Sequence, residues 1–155
     1  MDEKIEEKKN EYTIKSLEQF IELWTSIYDK GGKPDWSHII PYYSDDIHFK
    51  DIIQEIHGIN DFKAMIDRLT KRSKDLKFKI HNAIMKDNII FMEWEMIINY
   101  KNTKTSSIYG ASRIILSKEG KIIDQRDYYD LWGDIFNNIP HLNRLYRSFM
   151  RKVFG

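Results

Sequence analysis

A ten-residue segment, KIIDQRDYYD (residues 121–130), places three aspartates inside a strand-like pattern. Successive side chains of a β-strand point to opposite faces of a sheet, so the segment separates into two sets. The sets are Ile122, Asp124, Arg126, Tyr128 and Asp130 on one face, and Ile123, Gln125, Asp127 and Tyr129 on the other. Both sets mix apolar and polar residues, so alternation leaves open which faces the interior. A carboxylate enclosed by apolar side chains could serve as an acid or a base, whereas a carboxylate on the outer face would pair across the strand.

A second candidate carboxylate is Asp51, which ends the alternating segment DDIHFKD. Alternation places Asp51 on the same face as Ile47 and Phe49, and places His48 on the opposite face. Because Ile47 and Phe49 should be buried, Asp51 is expected to point inward. The alternative is an aspartate at the end of a strand that bonds to the backbone of its own loop.

Three helices are predicted in the first half of the chain. The first follows the capping-box pair Ser16 and Gln19 and ends at Gly31 and Gly32. Its apolar positions recur at helical spacing; they are Leu17, Phe20, Ile21, Trp24, Ile27 and Tyr28. A short second helix is predicted in PDWSHIIPYY, with Asp35 as its cap. The third, GINDFKAMIDRLTKR, is capped near Asn60 and turns Phe62, Ile66 and Leu69 inward.

The second half of the chain reads as a four-strand antiparallel meander. In its second strand, Met92, Trp94, Met96 and Ile98 share one face, and Glu93 and Glu95 share the outer face. The third strand contains Gly110, a possible bulge, and the fourth strand is the segment at 121–130. An amphipathic helix broken by Pro140 follows. Helices segregated to one face of an antiparallel sheet predict an α+β fold.

This order of elements, with YYSDDIHFKD, HGINDFKAMI and GKIIDQRDYYD in their places, resembles the nuclear transport factor 2-like superfamily over roughly residues 14–136. It is most similar to the SnoaL-like branch, which includes ketosteroid isomerases and limonene-epoxide hydrolases. The resemblance implies a curved antiparallel sheet wrapped around N-terminal helices to form a cone with an apolar pocket, a cystatin-like α+β barrel. It also implies a homodimer formed through the outer face of the sheet.

The resemblance assigns expected roles to the two carboxylates. Limonene-epoxide hydrolases carry a similar Arg-Asp-Tyr-aromatic-Asp run, whose first aspartate lies in the cone and corresponds to Asp127. Asp51 resembles the proton-abstracting aspartate of ketosteroid isomerases. Burial raises the pKa of a carboxyl, and two nearby carboxylates separate their pKa values, so at least one of Asp51 and Asp127 should have a raised pKa.

Several polar groups of these relatives are replaced in this sequence. The oxyanion-hole tyrosine and protonated aspartate of ketosteroid isomerases fall near Trp24 and Ser112. The arginine and second aspartate of limonene-epoxide hydrolases fall at Trp94 and Met96, which are apolar or aromatic. Their water-binding tyrosine and asparagine fall at Phe49 and Asp51. Steroid isomerisation as such is therefore not expected, and the lining favours a flat apolar or aromatic ligand.

The predicted pocket thus combines the two catalytic candidates with a largely aromatic lining. Its members are Trp24, Tyr28, Phe49, His57, Trp94, Met96, Ser112, Gln125 and Tyr129. His57 is expected at the rim because it precedes Gly58, and hydrogen bonds would come from Gln125, Ser112, Tyr129 and Trp24. Core packing is the alternative role for the large aromatic side chains of this set.

Composition excludes several classes of function. With 25 Lys and Arg against 24 Asp and Glu, the net charge is +1, so a general nucleic-acid binder is not expected. The chain has no cysteine, which excludes disulfides and thiolate chemistry. The five histidines form no metal motif, so neither a metal nor another cofactor is expected. No apolar run is long enough to cross a bilayer, and the charged N-terminus is unlike a signal peptide, which together predict a cytoplasmic protein.

The expected organisation is a flexible segment at residues 1–12, a cone domain at 13–136 and a C-terminal amphipathic helix packed on it at 137–155. That last segment carries Arg144, Arg147 and Arg151 at helical spacing, so a pocket lid or a surface for an acidic partner or anionic lipid are alternatives. Two functions stay open: a small-molecule isomerase, cyclase or hydrolase, and a non-catalytic ligand-binding or assembly domain.

Overall fold

The computed structural model describes residues 12–28, 34–72, 75–99, 106–135 and 141–155. Helices α1 (Leu17–Ser26), α2 (Ile59–Arg72) and α3 (Leu142–Phe154) accompany six strands. The strands are β1 (Tyr43–Lys50), β2 (Glu55–His57), β3 (Asp75–Lys86), β4 (Ile89–Asn99), β5 (Ser106–Leu116) and β6 (Ile122–Tyr129). A 3₁₀ turn, Ile40–Tyr42, precedes β1, and a single π turn, Leu131–Ile135, follows β6.

All six strands form one curved sheet in the order β2-β1-β6-β5-β4-β3. The meander β3 to β6 is antiparallel throughout, while β1 joins β6 in parallel. Helix α1 packs on β3 and α2 packs on β1, so the core lies between the two helices and the inner face of the sheet. The predicted α+β class and cone architecture are therefore confirmed.

The start of α1 follows the predicted cap with one difference. Ser16 Oγ accepts a hydrogen bond from the backbone N–H of Gln19 at 3.2 Å, as a capping box requires. The reciprocal bond runs from the backbone N–H of Lys15 to Gln19 Oε1 at 2.8 Å, one residue earlier than in the standard box. This cap fixes the register in which Phe20 and Trp24 face the core, where both are fully buried.

The predicted second helix is wrong in extent, because only the 3₁₀ turn Ile40–Tyr42 forms there. Pro41 lies inside that turn, and its ring and missing N–H prevent a longer α-helical ladder. Asp35 does act as a local cap, since its Oδ1 accepts a hydrogen bond from the Ser37 N–H at 2.9 Å. The predicted helix end at Gly31 and Gly32, and the break at Pro140, lie outside the described residues.

The pairing of β5 with β6 and with β4 corrects two predictions, the first for Ile122 and the second for Gly110. A bulge leaves Ile123 without a partner, since Ile115 pairs with Asp124 and Leu116 pairs with Ile122. Ile122 is consequently fully buried rather than lying on the outer face with Asp124.

Gly110, predicted as a possible bulge, pairs in continuous register with Trp94. A Cβ at Gly110 would overlap the Trp94 ring and lie 2.7 Å from the carbonyl oxygen of Tyr128. The missing side chain therefore makes room for the indole.

The C-terminal helix α3 has no buried residue. Leu145, Phe149 and Val153 are 70%, 61% and 53% exposed, so the predicted packing of this apolar side on the domain is not seen among the described residues. Its described ring contact with the rest of the chain is the stacking of Tyr146 on Trp132 at 5.2 Å between centroids. None of the described helices combines the length and apolar character that a bilayer span needs.

Candidate active site

A cavity of about 340 Å³ lies between the two core helices and the inner face of the sheet. This volume is in the range of small-molecule sites. Its wall is mostly aromatic and aliphatic, with a few polar groups from the β1–β2 loop, helix α2, β5 and β6. The residues that line it are Trp24, Tyr28, Trp36, Phe49, Asp51, Ile53, Gln54, Phe62, Met65, Ile66, Arg68, Leu69, Phe78, Trp94, Met96, Ile108, Ser112, Gln125, Asp127 and Tyr129.

Asp127 is the centre of a hydrogen-bonded chain across the inner face of β4, β5 and β6. Its Oδ1 accepts from Ser112 Oγ at 2.6 Å and from Gln125 Nε2 at 3.1 Å. Ser112 Oγ in turn accepts from the indole N–H of Trp94 at 2.9 Å, and Gln125 Oε1 accepts from the Tyr43 hydroxyl at 2.9 Å. Among the described residues, the one hydrogen-bonding contact of Asp127 Oδ2 is with Gln125 Nε2 at 3.4 Å, so Oδ2 is the oxygen available to a ligand.

Burial raises the pKa of Asp127 to about 6. Its side chain keeps some accessible surface because it faces the cavity, but protein surrounds it on all other sides. The hydrogen bonds from Ser112 and Gln125 act in the opposite direction, and the nearby Asp51 charge adds to the upward shift of the pKa. This agrees with the prediction that at least one of the two carboxyls has a raised pKa.

Asp51 satisfies both of its predicted alternatives. Its Oδ1 accepts hydrogen bonds from the backbone N–H groups of Ile53 and Gln54 at 2.8 and 2.7 Å, so it closes the β1–β2 loop. Its Oδ2 accepts from the Tyr129 hydroxyl at 3.2 Å, and the residue lines the cavity. The loop bonds hold Asp51 in place, and Tyr129 is the connection between Asp51 and the cavity face of β6.

The structure brings together ten of the eleven residues that the sequence nominates. Asp51 and Asp127 are joined in the cavity wall by Trp24, Tyr28, Phe49, Trp94, Met96, Ser112, Gln125 and Tyr129. Their placement also shows which face of β6 points to the interior: Gln125, Asp127 and Tyr129 face inward, and Asp124 faces outward. Trp24, Phe49 and Trp94 are buried in the core as well as lining the cavity.

His57 does not line the cavity. Strand β2 alternates, so the buried Ile56 takes the inner face and the exposed His57 takes the outer face. There His57 stacks on His48 at 4.7 Å between ring centroids. Its position before Gly58 was a weak signal, because a residue that precedes a turn can lie on either face of a short strand.

The sequence reasoning did not nominate ten of the lining residues, among them Trp36, Phe78 and the charged Arg68, and it also missed Tyr43. Trp36 lines the cavity, and its buried indole N–H has no hydrogen-bond partner among the described residues. Phe78 lines the wall and stacks on Tyr28 at 5.0 Å. Tyr43 holds Gln125 from behind the wall. Alternation in β3 could have indicated Phe78, whereas Trp36 comes from an irregular segment for which no period exists.

His48, Glu55 and His57 form a group on the outer face whose ligand atoms all lie within 4.8 Å of one another. Ion pairs with neighbouring side chains hold His48 and Glu55 of this group in place. His48 Nδ1 is 2.8 Å from an oxygen of Asp124, and His48 Nε2 is 2.9 Å from Glu55. Lys50 Nζ is 2.6 Å from the other oxygen of Glu55. Hydrogen bonds to Asp124 and Glu55 raise the pKa of His48, which favours its cationic form here.

Comparison with known proteins places this architecture in a known group. The family model described as the SnoaL-like domain matches residues 17–125. No curated protein sequence matches the chain significantly.

Solved structures show the same fold at low identity. An LEH-like epoxide hydrolase from M. tuberculosis is 15% identical with a TM-score of 0.63, over 84% of this chain and 94% of that one. A hypothetical protein with a ketosteroid isomerase-like fold from Catenulispora acidiphila, in complex with trimethylamine, is 12% identical with a TM-score of 0.69, over 83% of this chain and 98% of that one. A putative SnoaL-like polyketide cyclase from Jannaschia sp. is 13% identical with a TM-score of 0.63, over 83% and 98%.

Proposed function

Because this chain belongs to the SnoaL-like domain family, we propose that it is a small-molecule enzyme that uses Asp127 as a general acid and base on an apolar or aromatic ligand. The observation that carries the proposal is a buried carboxyl with a pKa of about 6 on the wall of a mostly apolar cavity. Near neutral pH such a group exists in both protonation states, so it can take a proton and return it.

Each polar neighbour has a distinct role in this proposal. Ser112 and Gln125 hold Asp127 Oδ1, so that Oδ2 faces the reacting atom. In an isomerase or cyclase, Oδ2 accepts a proton from a carbon next to a carbonyl and delivers it to another atom of the ligand. In a hydrolase, Oδ2 accepts the proton of the attacking water as the water oxygen bonds to carbon and the C–O bond of the ligand breaks, and the proton then passes to the leaving oxygen.

The other polar groups of the wall interact with the ligand rather than with Asp127. The indole N–H of Trp36 is buried and has no partner among the described residues, so in this proposal the ring turns to donate to a carbonyl or epoxide oxygen, where negative charge develops. Tyr129 donates its O–H to Asp51 Oδ2, so toward a ligand its hydroxyl oxygen acts as an acceptor, and we assign Asp51 a positioning role through Tyr129. The mostly aromatic lining favours a flat ring system over a sugar.

The alternative is a non-catalytic ligand-binding domain with the same cavity. It is favoured by the inner face of β4, where Trp94 and Met96 contribute no ionisable group. The two readings differ in what Asp127 does: an enzyme needs its proton transfer, whereas a binding domain needs only the shape of the cavity.

Assembly and location belong to the same proposal. We infer a homodimer formed through the outer face of the sheet, where Ile84, Phe91, Tyr109 and Tyr128 are exposed. The absence of cysteine fits a reducing compartment such as the cytoplasm.

The test begins with a thermal-shift screen of cyclic enones, aromatic ketones and terpene epoxides, followed by mass-spectrometric detection of products. Asp127→Asn keeps the shape of the carboxyl but removes its proton chemistry, so turnover should fall by about 10²–10⁴-fold while ligand binding is retained. The matched control is Asp124→Asn, on the same strand but on the outer face, which should leave turnover nearly unchanged.

Two results would contradict the enzyme proposal. One is turnover by Asp127→Asn at the wild-type rate, which would place the chemistry elsewhere. The other is a set of ligands that stabilise the protein and are never converted, which would favour the binding domain.

A further inference from the structure

The C-terminal helix α3 presents an apolar stripe that nothing in the described structure covers. The stripe consists of Leu145, Phe149 and Val153, which follow one another at intervals of four residues and therefore lie on one side of the helix. These side chains are 70%, 61% and 53% exposed, and Phe154 at the end of the helix is 76% exposed. A stripe of this width normally faces a core or a partner.

The opposite side of α3 is basic. Arg144, Arg147 and Arg151 lie on that side, and Lys152 lies at the edge of the stripe. Together they supply four positive charges, and residues 141–155 contain no acidic side chain. The whole chain has a net charge of +1, so the rest of the sequence, without these four charges, has a net charge of −3. The positive charge is thus concentrated on the one helix whose apolar side is uncovered.

Two other occupants of the stripe fit these observations less well. A lid over the cavity would contribute lining residues, but none of the lining residues belongs to α3. A second copy of α3 packed on the stripe would cover the apolar side chains but would leave the arginines of the opposite side without an opposite charge. An anionic surface, in contrast, complements the basic side while its interior accepts the apolar side.

We propose that α3 is an interfacial helix that binds anionic membrane surfaces, with Leu145, Phe149 and Val153 inserted among the acyl chains and the arginines on the lipid headgroups. A strongly amphipathic helix with a basic polar face and Phe and Leu on the other face has the composition of such anchors. The acidic remainder of the chain is repelled by the same surface, so the protein would attach by α3 alone. The proposal is independent of the chemistry at Asp127.

Vesicle flotation of the full chain tests the proposal. The wild type should float with vesicles of phosphatidylcholine and phosphatidylglycerol, and much less with vesicles of phosphatidylcholine alone. Phe149→Ser should weaken binding roughly tenfold, because an apolar ring no longer leaves water. Arg147→Gln with Arg151→Gln should weaken binding to the anionic vesicles by about twentyfold, and added salt should do the same.

Matched controls change similar groups elsewhere on the surface. Ile52→Ser alters an apolar side chain that is 51% exposed in the β1–β2 loop. Lys63→Gln with Lys71→Gln removes two exposed charges from helix α2. Both should bind vesicles as the wild type does.

Three outcomes of the flotation experiment would overturn the proposal. They are no flotation with either vesicle, equal flotation with neutral and anionic vesicles, and an equal loss of binding in the control variants. A change of oligomeric state in Phe149→Ser without a change in flotation would also overturn it, since α3 would then be a contact between copies. Light scattering of each variant distinguishes that case.

Discussion

At the scale of single residues, the main feature is a carboxyl held where its charged form is disfavoured. Asp127 receives two hydrogen bonds at Oδ1, yet desolvation outweighs them and raises its pKa to about 6 from an ordinary value of 3.8. A buried carboxyl with a raised pKa lowers the stability of the folded state whenever it is ionised. Such a cost is typical of a site shaped for function rather than for folding.

The first prediction concerns the stability of Asp127→Asn. Below pH 3.8 Asp127 is protonated in both the folded and the unfolded chain, so it costs nothing. As pH rises toward 6 the unfolded chain ionises first, and above pH 6 the folded state has a constant penalty of at most about 3 kcal/mol. The neutral amide avoids this penalty. We therefore expect Asp127→Asn to raise the free energy of unfolding at pH 7 by about 1–2 kcal/mol, with no gain near pH 3.5.

Urea unfolding at the two pH values measures the difference, and Asp124→Asn is the control. Desolvation acts to raise the pKa of Asp124, but hydrogen bonds from His48 and Arg113 outweigh it, so the pKa is lowered. Its carboxylate therefore stabilises the fold, and Asp124→Asn should lower stability at pH 7. A loss of stability in Asp127→Asn at pH 7 would show that the bonds at Oδ1 outweigh burial.

The sequence predicts which face of the sheet a residue occupies wherever its strand alternates without a bulge. Asp51 could be placed from its two buried neighbours, Ile47 and Phe49. Asp127 could be placed only through a family resemblance, because both faces of its strand are mixed. Ile122, on the same strand, was assigned wrongly because a bulge at Ile123 reverses the alternation, and a bulge leaves no compositional mark.

At the scale of elements, the site depends on how β4 and β5 accommodate a tryptophan. Trp94 pairs with Gly110 across the two strands, and its ring occupies the space that a Cβ at Gly110 would fill. In that position the indole N–H reaches Ser112 Oγ, which holds Asp127. A glycine in one strand thus positions the acid in the next.

The second prediction is that Gly110→Ala destabilises the protein by about 1–3 kcal/mol, the usual cost of overpacking. The added methyl group would displace the Trp94 indole and break its bond to Ser112. Chemical unfolding measures the stability, and tryptophan fluorescence reports the displaced ring.

The control for this prediction is the double variant Gly110→Ala with Trp94→Phe. The smaller ring leaves room for the methyl group, so the double variant should be less destabilised than the sum of its two single variants. Rescue should be partial, because the carbonyl oxygen of Tyr128 stays close. Strictly additive effects would mean that the ring and the methyl group do not compete for space.

Elements with a regular hydrophobic period can be predicted from the sequence, whereas irregular elements cannot. The cap at Ser16, the inward face of α2 and the four-strand meander all follow from local patterns, and the structure has them. The segment before β1 was predicted as a helix, yet Pro41 limits it to one 3₁₀ turn. Trp36 in that segment enters the cavity through tertiary packing, which periodicity cannot report.

At the scale of the whole molecule, the outer face of the sheet exposes several large apolar and aromatic side chains to solvent. Ile84 and Phe91 pair across β3 and β4 and are 66% and 45% exposed. Tyr109 and Tyr128 extend the exposed surface over β5 and β6. Glu93 lies between Phe91 and Tyr128 in the register of the sheet, so an interface centred there would enclose a carboxylate as well as the apolar side chains.

The third prediction is that Phe91→Glu disrupts a homodimer formed through this face. A charge at the centre of a two-fold interface meets its own copy nearby, so the dimer dissociation constant should rise at least tenfold. Sedimentation or light scattering over a range of concentrations measures it. Phe149→Glu on α3 introduces the same change away from the sheet and should leave the dimer intact. A wild-type chain that stays monomeric at all concentrations would contradict the prediction, and the exposed aromatic residues of the sheet would then need a different partner.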